Sequence, residues 1–248
     1  MKFLIGDIGN TTTKICILNN KFKILRMYNF ETNKFYRINF LNMVVRKKIN
    51  KELNSVFLFS SVVPKVFSNI KRKFKSTKYK ILELKNLDLN KIIKINVKNK
   101  KQLGSDRIAN AIGAKKFKNC LVLDFGTATT FDVIKNSNYE GGVIAPGVKL
   151  SITNLSKSTA LLPTINLSYN QKSYGKNTKE ALNSGFVWGY EGLINNIIKK
   201  IIYKDKIKYK IILTGGFANF FKKIIKNKVI VDQDITVKGI SNVYKELL

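Results

Sequence analysis

The chain has 248 residues, of which 44% are hydrophobic and 25% are charged, a composition typical of a folded globular protein rather than a disordered one. It contains no histidine, which excludes a Ser-His-Asp or Cys-His nucleophile system and any histidine-ligated metal, so acid–base chemistry falls to carboxylates or lysine. The formal net charge of +31 is extreme and is the kind of charge that attracts nucleic acids and anionic membranes.

The distribution of the positive charge argues against such a partner. The lysines are spread along the whole chain, and they are inflated together with asparagine, isoleucine, phenylalanine and tyrosine, as AT-rich codons would produce. Arginine, the better reader of base edges, is scarce, and neither a zinc-finger spacing nor an aromatic RNA-binding signature occurs. We therefore expect no specific nucleic-acid partner. A catalytically silent, nucleic-acid-associated protein remains the alternative that the charge favours.

The two cysteines and the apolar segments bear on the compartment. Cys16 and Cys120 lie in apolar, strand-like runs without CxxC spacing, so we expect small core residues in a reducing environment. No apolar stretch approaches the ~18 residues of a membrane span. The first apolar run is short and is interrupted by Asp7, which is unlike a signal peptide. These features predict a cytoplasmic protein without a membrane partner.

The first predicted element is a β-hairpin over residues 3–18, in which an apolar strand, an Asp-x-Gly turn and a run of threonines precede a second strand. A strand follows at residues 56–59, and Pro64 suits the first turn of the next helix. Residues 107–117 have the apolar spacing of a helix.

A second hairpin, over residues 121–134, repeats the pattern of the first. When the two are aligned on their aspartates, four pairs are identical: Asp7 with Asp124, Gly9 with Gly126, Thr12 with Thr129, and Thr13 with Thr130. Such a repeat implies two related lobes. We predict an N-terminal lobe over residues 1–110 and a C-terminal lobe over 111–248, joined through the predicted helix at 107–117.

The rest of the second lobe continues the α/β pattern. A strand ends at the turn containing Gly147, and a helix is predicted over residues 148–159. A long amphipathic helix over 178–203 begins with Asn177 and Glu180 in the spacing of a capping box. A last strand, at 209–213, meets the pair Gly215–Gly216, against which a flat adenine or ribose could lie.

The two hairpins have a chemistry in common. A glycine in a tight turn lets backbone N–H groups approach a phosphate, threonine hydroxyls and Lys14 add donors and charge, and an aspartate at a strand end can hold a metal ion. An isolated Asp-x-Gly is equally well a simple hairpin turn, but its duplication favours phosphate binding. The chain has no GxxxxGK[ST] and no GxGxxG, which argues against P-loop and dinucleotide-binding folds.

A further carboxylate, Asp106, stands in the sequence Gly-Ser-Asp-Arg. It is either a stabilising charge at a helix N-terminus or a general base that takes a proton from a substrate hydroxyl during phosphoryl transfer. The residues alone leave both interpretations open. Arg107 beside it could clamp an anionic group of the substrate.

Together the motifs resemble those of the type III pantothenate kinases, a family of the sugar kinase/Hsp70/actin superfamily. The matching segments follow the family's order over nearly the whole chain: residues 7–14, 61–64, 104–107, 124–130, 141–147 and 175–178 with Ala181, Ser184 and Gly185, and 214–216. The resemblance implies an α/β fold of two tandem actin-like (ribonuclease H-like) lobes. Each lobe would be a mixed β-sheet with flanking helices, with an ATP cleft between the two.

The resemblance also implies a reaction and a set of site residues. The reaction is ATP-dependent phosphorylation of pantothenate to 4′-phosphopantothenate, the first step of coenzyme A biosynthesis. The implied ATP-binding residues are Asp7, Ile8, Gly9, Asn10, Thr11, Thr12, Thr13, Lys14 and Thr127. Gly104, Ser105, Asp106, Arg107 and Thr178 would bind pantothenate, with Asp106 as the catalytic proton acceptor. Asp124 would hold a monovalent cation, K⁺ or NH₄⁺, in addition to the Mg²⁺ bound with ATP, and a homodimer is implied.

One position departs from the family pattern. Val97 stands where the family usually has a substrate-contacting tyrosine, and Lys100 stands where it usually has a proline. Valine has neither an aromatic ring nor a hydroxyl group. A kinase of the same superfamily that acts on another hydroxylated small molecule is therefore the second hypothesis.

Overall fold

The structure, a computed structural model, describes residues 1–35, 40, 52–169 and 173–248, which divide into two units. Unit 1 comprises Met1–Lys116, Ser137–Tyr139 and Asp234–Leu248, and unit 2 comprises Phe117–Asn136 and Glu140–Gln233. The domain boundaries expected from the sequence, 1–110 and 111–248, stay a prediction.

Unit 1 is built on a five-stranded mixed sheet in the order β3-β2-β1-β4-β5. Its strands are β1 (Lys2–Ile8), β2 (Thr12–Leu18), β3 (Ile24–Glu31), β4 (Leu53–Ser61) and β5 (Lys80–Glu83). The meander β1-β2-β3 is antiparallel, whereas β1, β4 and β5 run parallel. Most residues of β1, β2 and β4 are buried, as expected of strands covered on both faces.

Helices cover both faces of this sheet. They are α1 (Thr32–Phe35), α2 (Pro64–Lys73), α3 (Ser105–Gly113) and, from the end of the chain, α7 (Ile235–Leu247). Helix α2 buries Val66 and Ile70 in a cluster with Leu4 of β1. The neighbouring residue Phe3 contacts Tyr244 of α7, with ring centroids 5.0 Å apart, because successive strand residues point to opposite faces. Short 3₁₀ turns lie at Leu84–Asn86, Leu89–Lys91 and Lys100–Gln102.

Unit 2 repeats this topology. Its sheet has the order β10-β9-β6-β7-β8 and contains β6 (Cys120–Phe125), β7 (Ala128–Lys135), β8 (Asn138–Pro146), β9 (Lys210–Gly215) and β10 (Val229–Val231). In each unit an antiparallel hairpin comes first in the chain, and the first hairpin strand then pairs in parallel with a later strand. The predicted α/β fold with a mixed sheet in each of two related lobes is confirmed.

The helices of unit 2 pack on this sheet around one apolar cluster. They are α4 (Val148–Lys157), the long α5 (Thr178–Asp205) and the single turn α6 (Ala218–Phe221). Val187 and Ile194 of α5 are fully buried against strand residues such as Leu123. In the part of the chain that the structure describes, no helix has both the length and the apolar character needed to cross a membrane.

Most predicted elements are present, with shifted ends. The helix predicted at 107–117 is α3, which begins two residues earlier and ends at Gly113, a weak helix former. The capping box of α5 is present, since Asn177 Oδ1 accepts a hydrogen bond from Glu180 N at 3.0 Å. Strands β3, β5 and β10 and helices α1, α6 and α7 were not predicted. Residues 36–39, 41–51 and 170–172 lie outside the described residues.

Candidate active site

The first hairpin turn presents a row of exposed polar residues at the end of β1. Gly9 N donates a hydrogen bond to Thr12 O at 3.0 Å and closes the turn, and the side chains of Asn10, Thr11 and Thr12 are exposed. Asp7 lies in β1, two residues before Gly9; it is half-buried and is the cross-strand neighbour of Lys14 in β2. The turn thus combines a carboxylate, an ammonium group and several hydrogen-bond donors.

Thr32, at the start of α1, fixes the back of this turn. Its hydroxyl donates to Gly9 O at 2.7 Å, its backbone N–H donates to Thr11 O at 2.9 Å, and its Oγ1 lies 3.0 Å from Thr13 Oγ1. Since the Thr32 proton is used on Gly9, Thr13 is the donor in the last contact. The Thr13 and Ile8 side chains are fully buried, so of the predicted ATP-binding residues these two support the turn from inside.

The N-terminus of α3 carries Asp106 in its first turn, after Gly104 as the N-cap residue. Asp106 Oδ1 accepts a hydrogen bond from Arg107 N at 2.8 Å, and a Cβ atom on Gly104 would overlap this same oxygen. Burial raises the pKa of the Asp106 carboxyl group above its usual range, and the Arg107 hydrogen bond and charge offset part of that rise. Asp106 is therefore a more basic carboxylate than an exposed aspartate.

The neighbours of Asp106 differ in accessibility. Ser105 is fully buried, and its hydroxyl has no hydrogen-bond partner among the described residues. Arg107 is half-buried.

Helix α3 is held close to the C-terminal helix α7. Gly239 packs directly on the carbonyl group of Ala109, and Gly113 packs on that of Ile235, so a Cβ atom at either glycine would collide with backbone. The buried Thr236 hydroxyl donates to Asn110 Oδ1 at 2.6 Å. The position of the Asp106 turn thus depends on the last residues of the chain.

In unit 2 the second hairpin places Asp124 at the end of β6, beside Thr214 of β9 and opposite Thr130 of β7. Gly126 N donates to Ala128 O at 3.0 Å and closes the turn. Gly215 has a left-handed φ of +83°, and its Cβ position lies 2.6 Å from Asp124 Oδ1. The Thr-Gly-Gly segment therefore packs against the Asp124 carboxylate and restricts its position, a role that the sequence did not suggest.

The turn of the second hairpin is also supported from the end of β8. Thr127 is exposed, and its carbonyl group packs directly on Gly147, where a Cβ atom would not fit. The preceding carbonyl, Pro146 O, accepts a hydrogen bond from Tyr190 Oη at 3.1 Å, and Tyr190 Oη lies 2.8 Å from Ser151 Oγ. Helices α4 and α5 thereby fix the position of the Thr127 turn.

Thr178, the first residue of α5, lines a cavity of about 450 Å³ in unit 2. The other lining residues are mostly apolar: Leu155, Leu162, Ala181, Leu182, Gly185 and Phe186. The cavity combines one hydroxyl group with hydrocarbon walls, which suits a small, partly apolar ligand.

The carboxylates fit the cations that the sequence implies. Within the described residues no three or more Asp, Glu, Cys or His side chains come together as a metal site. Mg²⁺ needs no such cage when it arrives with nucleotide, because one carboxylate and the phosphates complete its shell, and Asp7 can supply that carboxylate. Asp124 packs against Gly215 and has Thr130 and Thr214 as cross-strand neighbours. Carboxylate and threonine oxygens are ligands that suit a monovalent cation.

Comparison with known proteins identifies the family. A family model described as type III pantothenate kinase matches residues 3–200. A type III pantothenate kinase from Pelagibacter ubique is 49% identical over 240 residues, which cover 96% of each chain. Another, from a Sulfurihydrogenibium species, is 35% identical over 252 residues, covering 96% of this chain and 97% of that relative.

Solved structures agree on the fold. A Campylobacter jejuni protein provisionally named a Baf family transcriptional activator has a TM-score of 0.66 at 20% identity, over 98% of both chains. A Sinorhizobium meliloti protein provisionally named a 2-dehydro-3-deoxygalactonokinase has a TM-score of 0.66 at 9% identity, over 99% of this chain and 100% of that one. At these identities the likeness concerns the fold alone, and it agrees with the predicted actin-like class. The relatives and the family model together show that the chain belongs to the type III pantothenate kinase family.

Proposed function

We propose that the chain transfers the terminal phosphoryl group of ATP to pantothenate and forms 4′-phosphopantothenate, the first step of coenzyme A biosynthesis. Family membership supports the reaction. The observation that carries the residue assignment is the half-buried Asp106 carboxylate at the N-terminus of α3, whose pKa is raised by desolvation and which lies beside Arg107. A basic, partly desolvated carboxylate next to a cation suits proton removal from an alcohol of an anionic acceptor.

The first hairpin is proposed to bind the phosphates of ATP. Backbone and side-chain donors of the exposed residues 10–12 would contact phosphate oxygens, and the Lys14 ammonium group would balance their charge. Asp7 would hold Mg²⁺ directly or through its waters, and the ion neutralises charge on the transferred group when bound. Gly9 permits the tight turn, whereas Ile8 and Thr13 act through their support of it.

Asp106 is proposed as the general base. It accepts the proton of the attacking hydroxyl as a bond forms between the acceptor oxygen and the γ-phosphorus and the bond to the bridging oxygen of ADP breaks. The charge on Asp106 must be available at neutral pH, and Arg107 helps to preserve it because its hydrogen bond and charge lower the pKa of the carboxyl group. The seat provided by Gly104 keeps the carboxylate at one orientation.

The N-terminal turn of α3 in unit 1 is proposed to bind the acceptor, and Thr178 of unit 2 is proposed separately as an acceptor-binding residue. Arg107 would pair with the carboxylate of pantothenate. Gly104 and Ser105, in the same turn, are also proposed to contribute to acceptor binding. Thr178 would bind a polar group of the acceptor. The apolar residues that line the same cavity would contact the hydrocarbon part of the acceptor.

Asp124 is proposed to hold a monovalent cation, K⁺ or NH₄⁺. Its seat on Gly215 and its threonine neighbours support an oxygen-rich site of low charge. Thr127, on the exposed turn that follows, is proposed to contact ATP.

Two further properties complete the proposal. Trp188 is 38% exposed on α5 and Leu161 is 89% exposed, so we propose that unit 2 contributes to a homodimer contact. We propose a cytoplasmic location, which agrees with two buried cysteines that form no disulfide, Cys16 and Cys120, whose pKa values burial raises to about 12.

The experiment is a direct product analysis. Purified protein is incubated with ATP, Mg²⁺ and pantothenate, with K⁺ or with Na⁺, and the products are identified by mass spectrometry. We expect 4′-phosphopantothenate and ADP in equal amounts, formed much faster with K⁺. Absence of the phosphorylated product with either salt would contradict the proposed function, and equal rates with Na⁺ would contradict the cation site.

A further inference from the structure

We infer that Ser60 is a positioning residue whose hydroxyl group donates a hydrogen bond to the Asp7 carboxylate when Mg²⁺ and nucleotide are bound. The inference rests on the proposed function, in which Asp7 holds the metal ion. It comes from the interior of unit 1, where the Ser60 side chain is fully buried in β4 and its hydroxyl oxygen has no hydrogen-bond partner among the described residues.

Ser60 lies directly beside Asp7 in the sheet. Asp7 is opposite Ser60 in the parallel pairing of β1 with β4, and it is opposite Lys14 in the antiparallel pairing of β1 with β2. Residues opposite one another have their side chains on the same face, and neighbouring strands lie about 4.8 Å apart. A change of the Ser60 rotamer is therefore enough to bring its hydroxyl group within hydrogen-bond range of the Asp7 carboxylate.

The N-terminal turn of α3 lies next to the end of β4. The Cβ position of Gly104 is 3.6 Å from Cγ1 of Val62, the second residue after Ser60. Ser60 itself has 0% of its surface exposed, so it does not contact a ligand directly. Any effect of its hydroxyl group on the reaction must pass through a neighbouring side chain.

The buried hydroxyl group is unfavourable for the free protein. Burial removes its hydrogen bonds to water, and no described group replaces them. Most buried hydroxyl groups in proteins are paired, so an unpaired one suggests a partner gained in another state of the protein. Asp7 can be that partner, since a carboxylate accepts about four hydrogen bonds and therefore has room for one more beside its other interactions.

A hydrogen bond from Ser60 would fix the orientation of the carboxylate that binds the metal ion. Carboxylates that bind metals are themselves held by hydrogen bonds, and loss of such a bond typically weakens metal binding by about 10–100-fold. One Asp7 oxygen would face the ion or one of its waters, and the other would accept from Ser60. The hydroxyl group should thus increase the affinity for Mg²⁺ and lower the stability of the free protein.

The test follows thermal unfolding of wild type and Ser60→Ala by circular dichroism without ligand, with a non-hydrolysable ATP analogue in EDTA, and with the analogue and increasing Mg²⁺. The free variant should melt at the wild-type temperature or above it, because a methyl group needs no partner. The Mg²⁺ concentration for half of the metal-dependent shift should rise about ten-fold, with the shift in EDTA unchanged. A lower melting temperature of the free variant, or an unchanged Mg²⁺ requirement, would overturn the inference.

The matched control is Ser61→Ala, at the next position of β4. The Ser61 side chain points to the opposite face of the sheet, and its hydroxyl oxygen already accepts a hydrogen bond from Val63 N at 3.2 Å. This substitution should lower the melting temperature of the free protein and leave the Mg²⁺ requirement at the wild-type value. An equal rise in the Mg²⁺ requirement of both variants would mean that disturbance of β4 explains it, and would refute the role of Ser60.

The unfolding measurements separate this inference from the proposed reaction, because they contain no acceptor. A higher Mg²⁺ requirement in Ser60→Ala would support the role of Ser60 even if the protein does not phosphorylate pantothenate. Phosphorylation of pantothenate with the same Mg²⁺ requirement in both proteins would refute the role of Ser60 and retain the proposed function. Absence of any metal-dependent shift in wild type would refute both the role of Ser60 and the assignment of Mg²⁺ to Asp7.

Discussion

The carboxylate of Asp106 occupies the space in which a side chain at Gly104 would lie. The same relationship recurs in unit 2, where the Cβ position of Gly215 lies 2.6 Å from Asp124 Oδ1. Neither glycine is adjacent in sequence to its carboxylate. In both units a glycine without a side chain leaves room for a candidate functional carboxylate to pack against the backbone. The carboxylate then needs less reorientation when a charged ligand binds.

Replacement of the proposed base gives the first prediction. Asp106→Asn should lower kcat for pantothenate phosphorylation by about 10²–10⁴-fold, because the amide cannot accept the hydroxyl proton. The amide retains an oxygen that can accept the Arg107 N–H, so fold and nucleotide affinity should stay near wild type. Coupled ADP release, circular dichroism and ATP titration measure the three quantities. An Asn variant with near-normal turnover would remove Asp106 from the role of base.

The pH dependence of kcat gives the second prediction. Activity requires ionised Asp106, so kcat should fall as pH decreases through the pKa of this carboxyl group. Burial raises that pKa, and the charge of Arg107 lowers it. Arg107→Gln removes the charge and should therefore move the acid limb of kcat to higher pH. The measurement is kcat at saturating pantothenate and ATP across the acid range.

A comparison between the two proteins separates Asp106 from the titration of ATP. The nucleotide titrates identically in both assays, so only a protein group near Arg107 can produce a difference. Superimposable acid limbs would mean that the charge of Arg107 does not act on the group that controls kcat.

The seat of Asp124 gives the third prediction. Gly215→Ala would force a Cβ atom against the carboxylate at a left-handed φ of +83°, and we expect a stability loss of about 1–3 kcal/mol. The displaced carboxylate should also raise the K⁺ concentration needed for half-maximal activity. Gly216→Ala is the matched control, since no atom lies within 4 Å of its Cβ position. Equal K⁺ requirements in the two variants would argue against a cation at Asp124.

The contact between α3 and α7 gives the fourth prediction. Gly239→Ala places a methyl group against the Ala109 carbonyl, so we expect it to destabilise unit 1 by at least about 1–3 kcal/mol. We also expect kcat to fall, because the turn that carries Asp106 would shift. Gly192→Ala, in an open position of α5, should instead stabilise by about 0.5–1 kcal/mol through helix propensity. Thermal unfolding followed by circular dichroism measures both. A neutral Gly239→Ala would show that the two helices can separate without cost.

The sequence was sufficient to predict the features that local chemistry determines. The repeated Asp-x-Gly-Thr hairpins predicted two related lobes, and the structure has the same strand order in both units. The cap at Asn177 and the helix start at Pro64 were predicted because each depends on residues a few positions apart. Strand β3 is largely exposed and lacks an apolar repeat, so its residues gave no clear signal.

The residues that support the site could not be predicted in the same way. Thr32 contacts Gly9 across 23 positions, and Tyr139 reaches Arg107 from a separate strand. Gly239 contacts Ala109 from the far end of the chain. Thr32, Tyr139 and Gly239 belong to none of the motifs identified in the sequence, because their contacts form only when distant segments fold together. Sequence motifs identify the residues expected to contact a ligand. The residues that support them can be identified only from the folded structure.

The acceptor is the central claim, and it needs a direct test because the resemblance predicts a substrate-contacting tyrosine at the position of Val97. The decisive measurement is a competition assay in which the protein, with ATP, Mg²⁺ and K⁺, is offered pantothenate together with other hydroxylated small molecules, and kcat/KM is obtained for each. The account predicts that pantothenate is preferred over every other acceptor and that 4′-phosphopantothenate is the main product. Preferential phosphorylation of another acceptor, with pantothenate left unmodified, would contradict it.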